Sequence, residues 1–413
     1  MDPAVLERLA GVPQEEYARR ALKIKAKNRE IVPLDCNTRP GQRKLADAIT
    51  RQESAGKPVR IVLVKSRRFG GSTWIMGELV KRATTSANRR ALIVAHRLDT
   101  AQGLFEMGLG MWQRLPESMR PPMGGFVNPT RGQKVMHLGE KVGGVITWPN
   151  SRIAIDTAEE VGMGRGLEFD DLLMSEAAFY RDPKKGEDLF STVPDLPGTS
   201  VFVESTAFGL NWFYDRAKAA AGGISEYELV FVGWHEDPDC VKPFAGEEER
   251  ERFIATIGRG DMLGDLSAIA EDEEWLVEEF GCTPEQLNWR RTAIVDKARG
   301  KIEAFKQEYP ATWQEAFQGS GRQVFSVVFT ARAAREADGW AEKPPEDGGP
   351  QRGLFVGSEP VTRTLSDGTV EVPRKVIWLP EAELTESVEW WPGRFYERDT
   401  PLWTIWMPTA DGK

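Results

Sequence analysis

The residues Lys65-Ser66-Arg67-Arg68-Phe69-Gly70-Gly71-Ser72-Thr73 join an apolar run to a helical segment. A strand that ends in a short glycine-containing loop and continues as a helix turns backbone N–H groups and a helix N-terminus toward one point, which suits a phosphate. The usual pattern is G-x-x-x-x-G-K-[ST]. Gly70 fits its second glycine and Ser72 its Mg2+-ligating hydroxyl. Gly71 stands where the lysine belongs, and Lys65 or Ser66 where the first glycine belongs. The cation for the β- and γ-phosphates must then come from Lys65, Arg67 or Arg68.

Phosphoryl transfer to water needs two more groups beside such a loop, one for the metal and one for the water. The run Asp171–Glu176 (DLLMSE) ends as required except that Ser175 takes the usual aspartate position. Glu176 is placed to activate water, while Ser175 reaches a metal only weakly, through a water. Arg165, between Gly164 and Gly166, has the setting of an arginine finger. A third apolar run ends in Glu204-Ser205-Thr206-Ala207-Phe208-Gly209. Ligands of open α/β sheets bind at the C-terminal ends of strands, so Ser205 and Thr206 are candidates to sense the γ-phosphate. Gln42 precedes the first core strand. Its amide can both donate to and accept from adenine, which favours ATP over GTP.

These groups need a sheet to hold them. Strand-length apolar runs lie at 60–65, 91–96, 144–148, 152–156, 171–175, 200–204 and 228–233. Several are continuous rather than alternating, the pattern of strands buried on both faces. Helical segments such as 72–84 and 100–115 supply the crossovers. The expected fold is α/β, a P-loop NTPase of RecA/ASCE-like type with a mostly parallel sheet flanked by helices, followed by a smaller α+β region. The expected domains are 1–235, with a helical segment over 4–30; an acidic helical lid or linker over 236–339; and a β-rich linker over 340–413. Charge-rich stretches at 246–252 and 271–279 read as solvated helix faces. Thr283-Pro284-Glu285-Gln286 and Thr312-Trp313-Gln314-Glu315 are capping boxes, and Ser366-Asp367-Gly368-Thr369 is a hairpin turn.

Composition narrows the class. Cys36, Cys240 and Cys282 are far apart, and so are His96, His137 and His235, which argues against a zinc site or a disulfide framework. No apolar stretch reaches membrane-spanning length, and the N-terminus lacks a signal-peptide core. A soluble protein of a reducing compartment is expected. The net charge of −9 hides an asymmetry: residues 1–150 hold 26 basic and 13 acidic residues, and the remainder 28 and 50. A basic first third allows a polyanion partner on one face.

Taken in order, Gln42, KSRRFGGST, IVAHR at 93–97, Arg165, LLMSEAAF at 172–179, ESTAFGLNWFY at 204–214, PEQLNWRR at 284–291 and FKQEYPATWQEAF at 305–317 resemble the large terminase subunit of tailed bacteriophages, the ATPase that packages DNA. The resemblance covers most of the chain. It implies ATP and Mg2+ as cofactors, Lys65 as phosphate lysine and Glu176 as catalytic base. It implies Ser205-Thr206 as the coupling motif and Arg165 as an arginine acting on a neighbouring subunit's ATP, with Arg67 or Arg68 as a cis arginine. Some members share both departures, the lysine moved to the loop's start and Ser-Glu for Asp-Glu. Double-stranded DNA, a portal protein, a small terminase subunit and further copies of the chain in a ring are the implied partners, in the host cytoplasm at the procapsid portal. The family's C-terminal nuclease domain is expected to be missing from this chain, truncated or naturally absent. Two other readings stand beside the motor: a nucleotide-binding scaffold with little turnover, motivated by Gly71 and Ser175, and a superfamily 2 helicase-like ATPase.

Overall fold

The computed structural model describes residues 8–26, 28–67, 69–127, 134–143, 145–158, 168–260, 267–270 and 272–318, and then the segments 350–365, 368–380, 383–384, 389–391, 394–395 and 403–406. Two units divide the chain, Met1–Gln323 and Val324–Lys413.

Early in the first unit, after helical residues 8–10, come helix α1 (Gln14–Ala21) and a short antiparallel hairpin, β1 (Lys23–Lys25) with β2 (Ile31–Pro33). Of the helix expected over 4–30, residues 4–7 and 27 lie outside the described residues, and among the described ones only 8–10 and 14–21 are helical. Next come α2 (Pro40–Ser54), β3 (Val59–Lys65), α3 (Gly71–Thr85), β4 (Arg90–Ala95), α4 (Leu98–Gln113), β5 (Met123–Val127), β6 (Val135–Val142) and β7 (Val145–Thr157). They are followed by β8 (Asp171–Ser175), α5 (Pro183–Phe190), β9 (Ser200–Ser205), α6 (Trp212–Ala221) and β10 (Glu228–Val232).

Strands β3 to β10 form one eight-stranded sheet in the order β10-β3-β9-β8-β4-β7-β6-β5. From β10 to β7 the pairing is parallel, and β6 and β5 close the far edge as an antiparallel meander. Every residue of β3, β8 and β9 is buried, as the continuous apolar runs required. Alternate residues serve opposite faces. Ile61 and Leu63 pack with Trp74 and Leu79 of α3 and Phe105 of α4, while Val62 and Val64 join Leu189 of α5 and Phe213 of α6. The sheet is thus covered on both sides, the mostly parallel α/β architecture that the sequence predicted.

Residues 145–148 of the first run and the run at 152–156 belong to one strand, β7, rather than two, and residue 144 lies outside the described residues. Pro149-Asn150 has the composition of a turn but acts as an irregularity within the ladder. Asn150 takes φ 53°, and the pairing with β6 shifts at Gly139.

Helices α7 (Glu247–Ile254), α8 (Ser267–Ala270), α9 (Glu273–Phe280), α10 (Pro284–Ala298), α11 (Ile302–Glu308) and α12 (Trp313–Gln318) complete the described part of this unit. Trp234, Leu276, Leu287, Ile294 and Phe305 pack together among them. Thr283 caps α10 with the expected reciprocal box: Gln286 N–H donates to Thr283 Oγ1 and Thr283 N–H to Gln286 Oε1. The 271–279 stretch is not simply a solvated face. Asp272 and Glu273 are buried and paired with Arg290 (2.6 Å) and Arg291 (2.5 Å).

In the second unit β11 (Pro350–Leu365) and β12 (Gly368–Pro380) form a long antiparallel hairpin. The pairing of Leu365 with Gly368 brackets the predicted turn, whose Ser366 and Asp367 lie outside the described residues. The short pair β13 (Glu389–Trp391) and β14 (Arg394–Phe395) follows, and β15 (Trp403–Trp406) pairs with β11.

The charge asymmetry acquires a meaning within the fold. Basic residues of the first third meet acids of the later chain: Arg39 with Asp237, Lys44 with Glu236, Arg51 with Glu228, Arg60 with Asp195, Arg67 with Glu308, and Arg82 and Arg89 with Asp171. Much of the basic surplus is neutralised inside the unit, so it does not by itself define a free face for a polyanion. Among the described residues, no helix is long and apolar enough to cross a membrane.

Candidate functional site at the C-terminal edge of the sheet

Strand β9 lies between β3 and β8, with Val64 opposite Ser205 and Ser175 opposite Glu204. This register brings the ends of three strands together and gathers residues that the sequence scatters over 140 positions. Lys65 is 7% exposed. Its Nζ lies 2.6 Å from Glu204 Oε2, 3.2 Å from Ser72 Oγ and 3.5 Å from Glu176 Oε1. Ser72 Oγ is 2.7 and 2.9 Å from the two Glu204 oxygens, and Ser175 Oγ donates to Glu204 Oε1 at 2.7 Å. Burial disfavours the Lys65 ammonium. The Glu204 and Glu176 carboxylates outweigh it and hold the lysine pKa above its ordinary value.

The loop explains the departure from the usual pattern. Gly70 precedes α3 at φ 91°, a conformation glycine adopts without steric cost. Gln42 Nε2 donates to its carbonyl at 2.9 Å. A Cβ on Gly71 would stand 2.3 Å from Cζ of the buried Phe69 ring. A lysine there would require that ring to move; the lysine of this segment, Lys65, stands at the end of β3 instead. Ser66 Oγ is buried and has no hydrogen-bond partner among the described residues. Such a hydroxyl costs about 1–3 kcal/mol, which a bound anion would offset.

Glu176, directly after β8, adopts φ 53° and ψ 44°. A non-glycine residue in this left-handed region carries strain of about 1–3 kcal/mol and is a feature of functional sites. Its side chain is 25% exposed, so a solvent molecule can reach the carboxylate. Ser205 Oγ lies 3.3 Å from Glu176 Oε2 and accepts from Ala178 N–H at 3.3 Å, which ties the end of β9 to the turn after β8. Thr206 is buried beside it.

Gln42 also borders a cleft of about 250 Å³, with Lys25, Asp35, Arg39, Gly70 and Thr73 among its lining residues. The predicted phosphate loop and the predicted base-reading glutamine therefore share one opening. Helix α11 closes on two of the motifs. Arg67 N–H donates to the Glu308 carbonyl at 3.0 Å, the Arg67 and Glu308 side chains form an ion pair, and Gln307 Nε2 donates to the Ala207 carbonyl at 3.2 Å. Burial raises the Glu308 pKa, Arg67 opposes it, and the Glu176 charge adds to the rise. Arg68 and Arg165 lie outside the described residues.

Of the expected site residues, Lys65, Ser72, Ser175, Glu176 and Ser205 meet in one hydrogen-bonded cluster, and Gln42, Gly70 and Thr73 flank the adjoining cleft. Glu204 is the group that sequence reasoning passed over. It is fully buried at the centre of the cluster and contacts Lys65, Ser72 and Ser175. Its only sequence signal is a carboxylate at the end of an otherwise apolar strand.

Strand β3, which runs into the predicted phosphate loop, is separated from β8, which ends at the Ser-Glu pair, by the single strand β9, with β4 and β10 outside them in a mostly parallel α/β sheet. No protein-family model and no curated protein sequence matches the chain. Among solved structures, the chain is similar to the large terminase ATPase domain of Thermus phage P74-26, at 20% identity over 52% of this chain and 90% of that one, with a TM-score of 0.35. It is similar to the HK97 bacteriophage large terminase at 13% identity over 87% of this chain and 67% of that one, with a TM-score of 0.48. A third likeness, at 10% identity over 52% of this chain and 49% of the other, is to the large terminase of a thermophilic bacteriophage in complex with ADP, with a TM-score of 0.36.

Proposed function

We propose that this chain is the motor ATPase of a DNA-packaging terminase, hydrolysing ATP at the C-terminal edge of the sheet to move double-stranded DNA into a viral procapsid. The observation that carries the reading is the convergence of Lys65, Ser72 and Glu176, from a strand end, a helix start and a neighbouring strand end, on one partly open point. Lys65 would leave its carboxylates to neutralise the β- and γ-phosphates. The loop N–H groups and Ser66 Oγ would bind phosphate oxygens, and Gln42 and the cleft beside it would receive the adenine. Glu176 would accept the proton of the attacking water. Mg2+, bound with the nucleotide, would add charge neutralisation, and the Ser72 and Ser175 hydroxyls are oxygen donors of the kind it prefers.

Ser205 touches Glu176, and the next turn is held by Gln307. Loss of the γ-phosphate at Glu176 would thus reach α11 and the helices packed on it, which supports the coupling role of Ser205 and Thr206. Arg165 would act on a neighbouring copy's ATP in a ring, with Arg67 or Arg68 acting in cis. DNA, the portal and the small subunit would be the partners, at the portal in the host cytoplasm.

Steady-state ATPase and packaging assays with portal, small subunit and DNA test this. Glu176→Gln is expected to lower turnover by about 10²–10⁴-fold while nucleotide still binds. Lys65→Ala is expected to weaken binding as well. The ion pair that holds Lys65 on Glu204 favours a second reading, a nucleotide-binding scaffold with little turnover. Nucleotide binding without hydrolysis in the complete packaging mixture would select it over the motor.

A further inference from the structure

The position that usually holds a metal-binding aspartate holds Ser175, so the edge of β8 offers no carboxylate there. Yet a carboxylate stands within hydrogen-bonding distance of that hydroxyl, on the neighbouring strand. Glu204 Oε1 is 2.7 Å from Ser175 Oγ and 2.7 Å from Ser72 Oγ, the two hydroxyls assigned to the metal side of the site. Among the described residues, no group of three or more His, Cys, Asp or Glu side chains is placed to hold a metal. One carboxylate with two hydroxyls is instead a partial donor set. It suits a small hard cation that keeps several waters and completes its shell with phosphate oxygens.

The charge balance points the same way. Glu204 is fully buried, and the ammonium of Lys65, at 2.6 Å, is the cation beside it. The same ammonium is 3.2 Å from Ser72 Oγ. Lys65 therefore occupies the donor set as a built-in cation. If it swings to a nucleotide's phosphates, Glu204 is left buried and unpaired, a costly state unless another positive charge replaces it.

Building on the ATPase reading, we propose that Glu204 supplies the carboxylate for the nucleotide-bound divalent cation in place of Ser175, and that Lys65 and this cation exchange places as nucleotide binds and leaves. Nucleotide and metal then bind as one event. The metal alone binds poorly, because Lys65 already fills the place.

The test is binding rather than turnover. A fluorescent ADP analogue is titrated with and without Mg2+, and Mn2+ binding in the presence of ADP is followed by electron paramagnetic resonance. Wild type is expected to gain at least about tenfold in nucleotide affinity from Mg2+, and Glu204→Gln to lose most of that gain. Ser175→Asp combined with Glu204→Gln moves the carboxylate to the usual strand and should restore it. A folded Glu204→Gln protein that keeps the full Mg2+ dependence and the Mn2+ signal overturns the proposal and leaves the ATPase reading intact. If Glu204→Gln does not fold, the double variant decides: restored Mg2+ dependence supports the exchange, and its absence overturns it. A wild type that binds no nucleotide under either condition refutes the ATPase reading itself.

Discussion

Strands β8 and β9 carry a buried ionic cluster at each end, and the two clusters are built differently. At the N-terminal end Asp171 is fully buried and accepts from Arg89 Nε at 2.7 Å, Arg89 Nη2 at 2.8 Å, Arg82 Nη1 at 3.3 Å and Ser200 Oγ at 2.6 Å. Arg82 is paired further with Glu78 at 2.6 Å and Glu53 at 2.5 Å. At the C-terminal end one lysine serves Glu204 and Glu176, the Ser66 hydroxyl has no partner among the described residues, and Glu176 sits in a strained, partly exposed conformation. Guanidinium forks fix geometry in two directions and stay charged at any working pH, whereas an ammonium is a point charge on a flexible stem. The arginine end is arranged to stay as it is. The lysine end is arranged so that its cation can be given up.

Breaking the arginine end should have the largest effect on stability. Asp171→Asn leaves the buried Arg82 guanidinium and the half-buried Arg89 guanidinium facing a neutral amide. It is expected to lower the unfolding free energy by about 3–5 kcal/mol, read by denaturant titration, because removing one partner strands the others in low dielectric. A loss below about 1 kcal/mol would show that Glu78 and Glu53 hold Arg82 without Asp171, and the contrast between the two ends would fail.

The lysine end should answer in the opposite sense. Glu176→Gly removes both the carboxylate and the left-handed side-chain conflict. The expected result is a protein more stable by roughly 1 kcal/mol with its ATPase activity abolished, measured by thermal unfolding beside turnover. A destabilised Glu176→Gly protein would mean that the contacts to Lys65 and Ser205 outweigh the strain, which would make this end structural as well.

How much of this contrast could be read beforehand depends on where each residue's signal resides. Lys65, Gly70 and Ser72 belong to one strand–loop–helix unit, so local sequence carries them. Glu176 was legible because it directly follows an apolar run. Glu204 was not, because its role comes from the β8–β9 register that sets it opposite Ser175, and register is a long-range property. The meander of β5 and β6 was missed for a related reason. Met123–Val127 contains two adjacent glycines, and Val135–Val142 mixes His137, Gly139, Glu140 and Lys141 among its apolar residues, so neither forms a continuous run. The basic surplus of the first third looked like a binding face in the sequence. The fold instead directs much of it onto acids that come later in the chain, a pairing that only tertiary structure reveals.

Single hydroxyls sharpen the comparison on a smaller scale. Ser200→Ala removes one of the donors to Asp171 and should cost about 1–2 kcal/mol of stability with turnover little changed, because the acceptor is a fully buried carboxyl group. Ser175→Ala removes the matching donor to Glu204 at the other end. It should lower Mg2+-dependent nucleotide affinity more than it lowers the unfolding midpoint. Equal stability losses with no change in binding would remove the functional distinction between two serines placed at opposite ends of adjacent strands.

The smallest effect is a pH dependence at the arginine end. Asp171, Glu78 and Glu53 face the guanidinium groups of Arg82 and Arg89, so this cluster has more carboxylates than guanidinium groups. Burial raises the Glu53 pKa above the ordinary glutamate value of 4.5, and the Glu78 charge adds to the rise against the pull of Arg82. The folded protein therefore holds this proton more tightly than the unfolded chain, and ionising Glu53 works against folding. The favourable contribution is fully present below the ordinary glutamate pKa and is lost as pH rises through the folded value. Glu53→Gln should accordingly gain stability relative to wild type as pH rises from about 4 to about 7, read as the difference between their denaturation midpoints. The Glu53 side chain is 45% exposed, so solvent screens the effect and keeps it small. A difference that runs the other way with pH would show that the Arg82 pair dominates, and that even the least buried carboxylate of this cluster is held as firmly as Asp171.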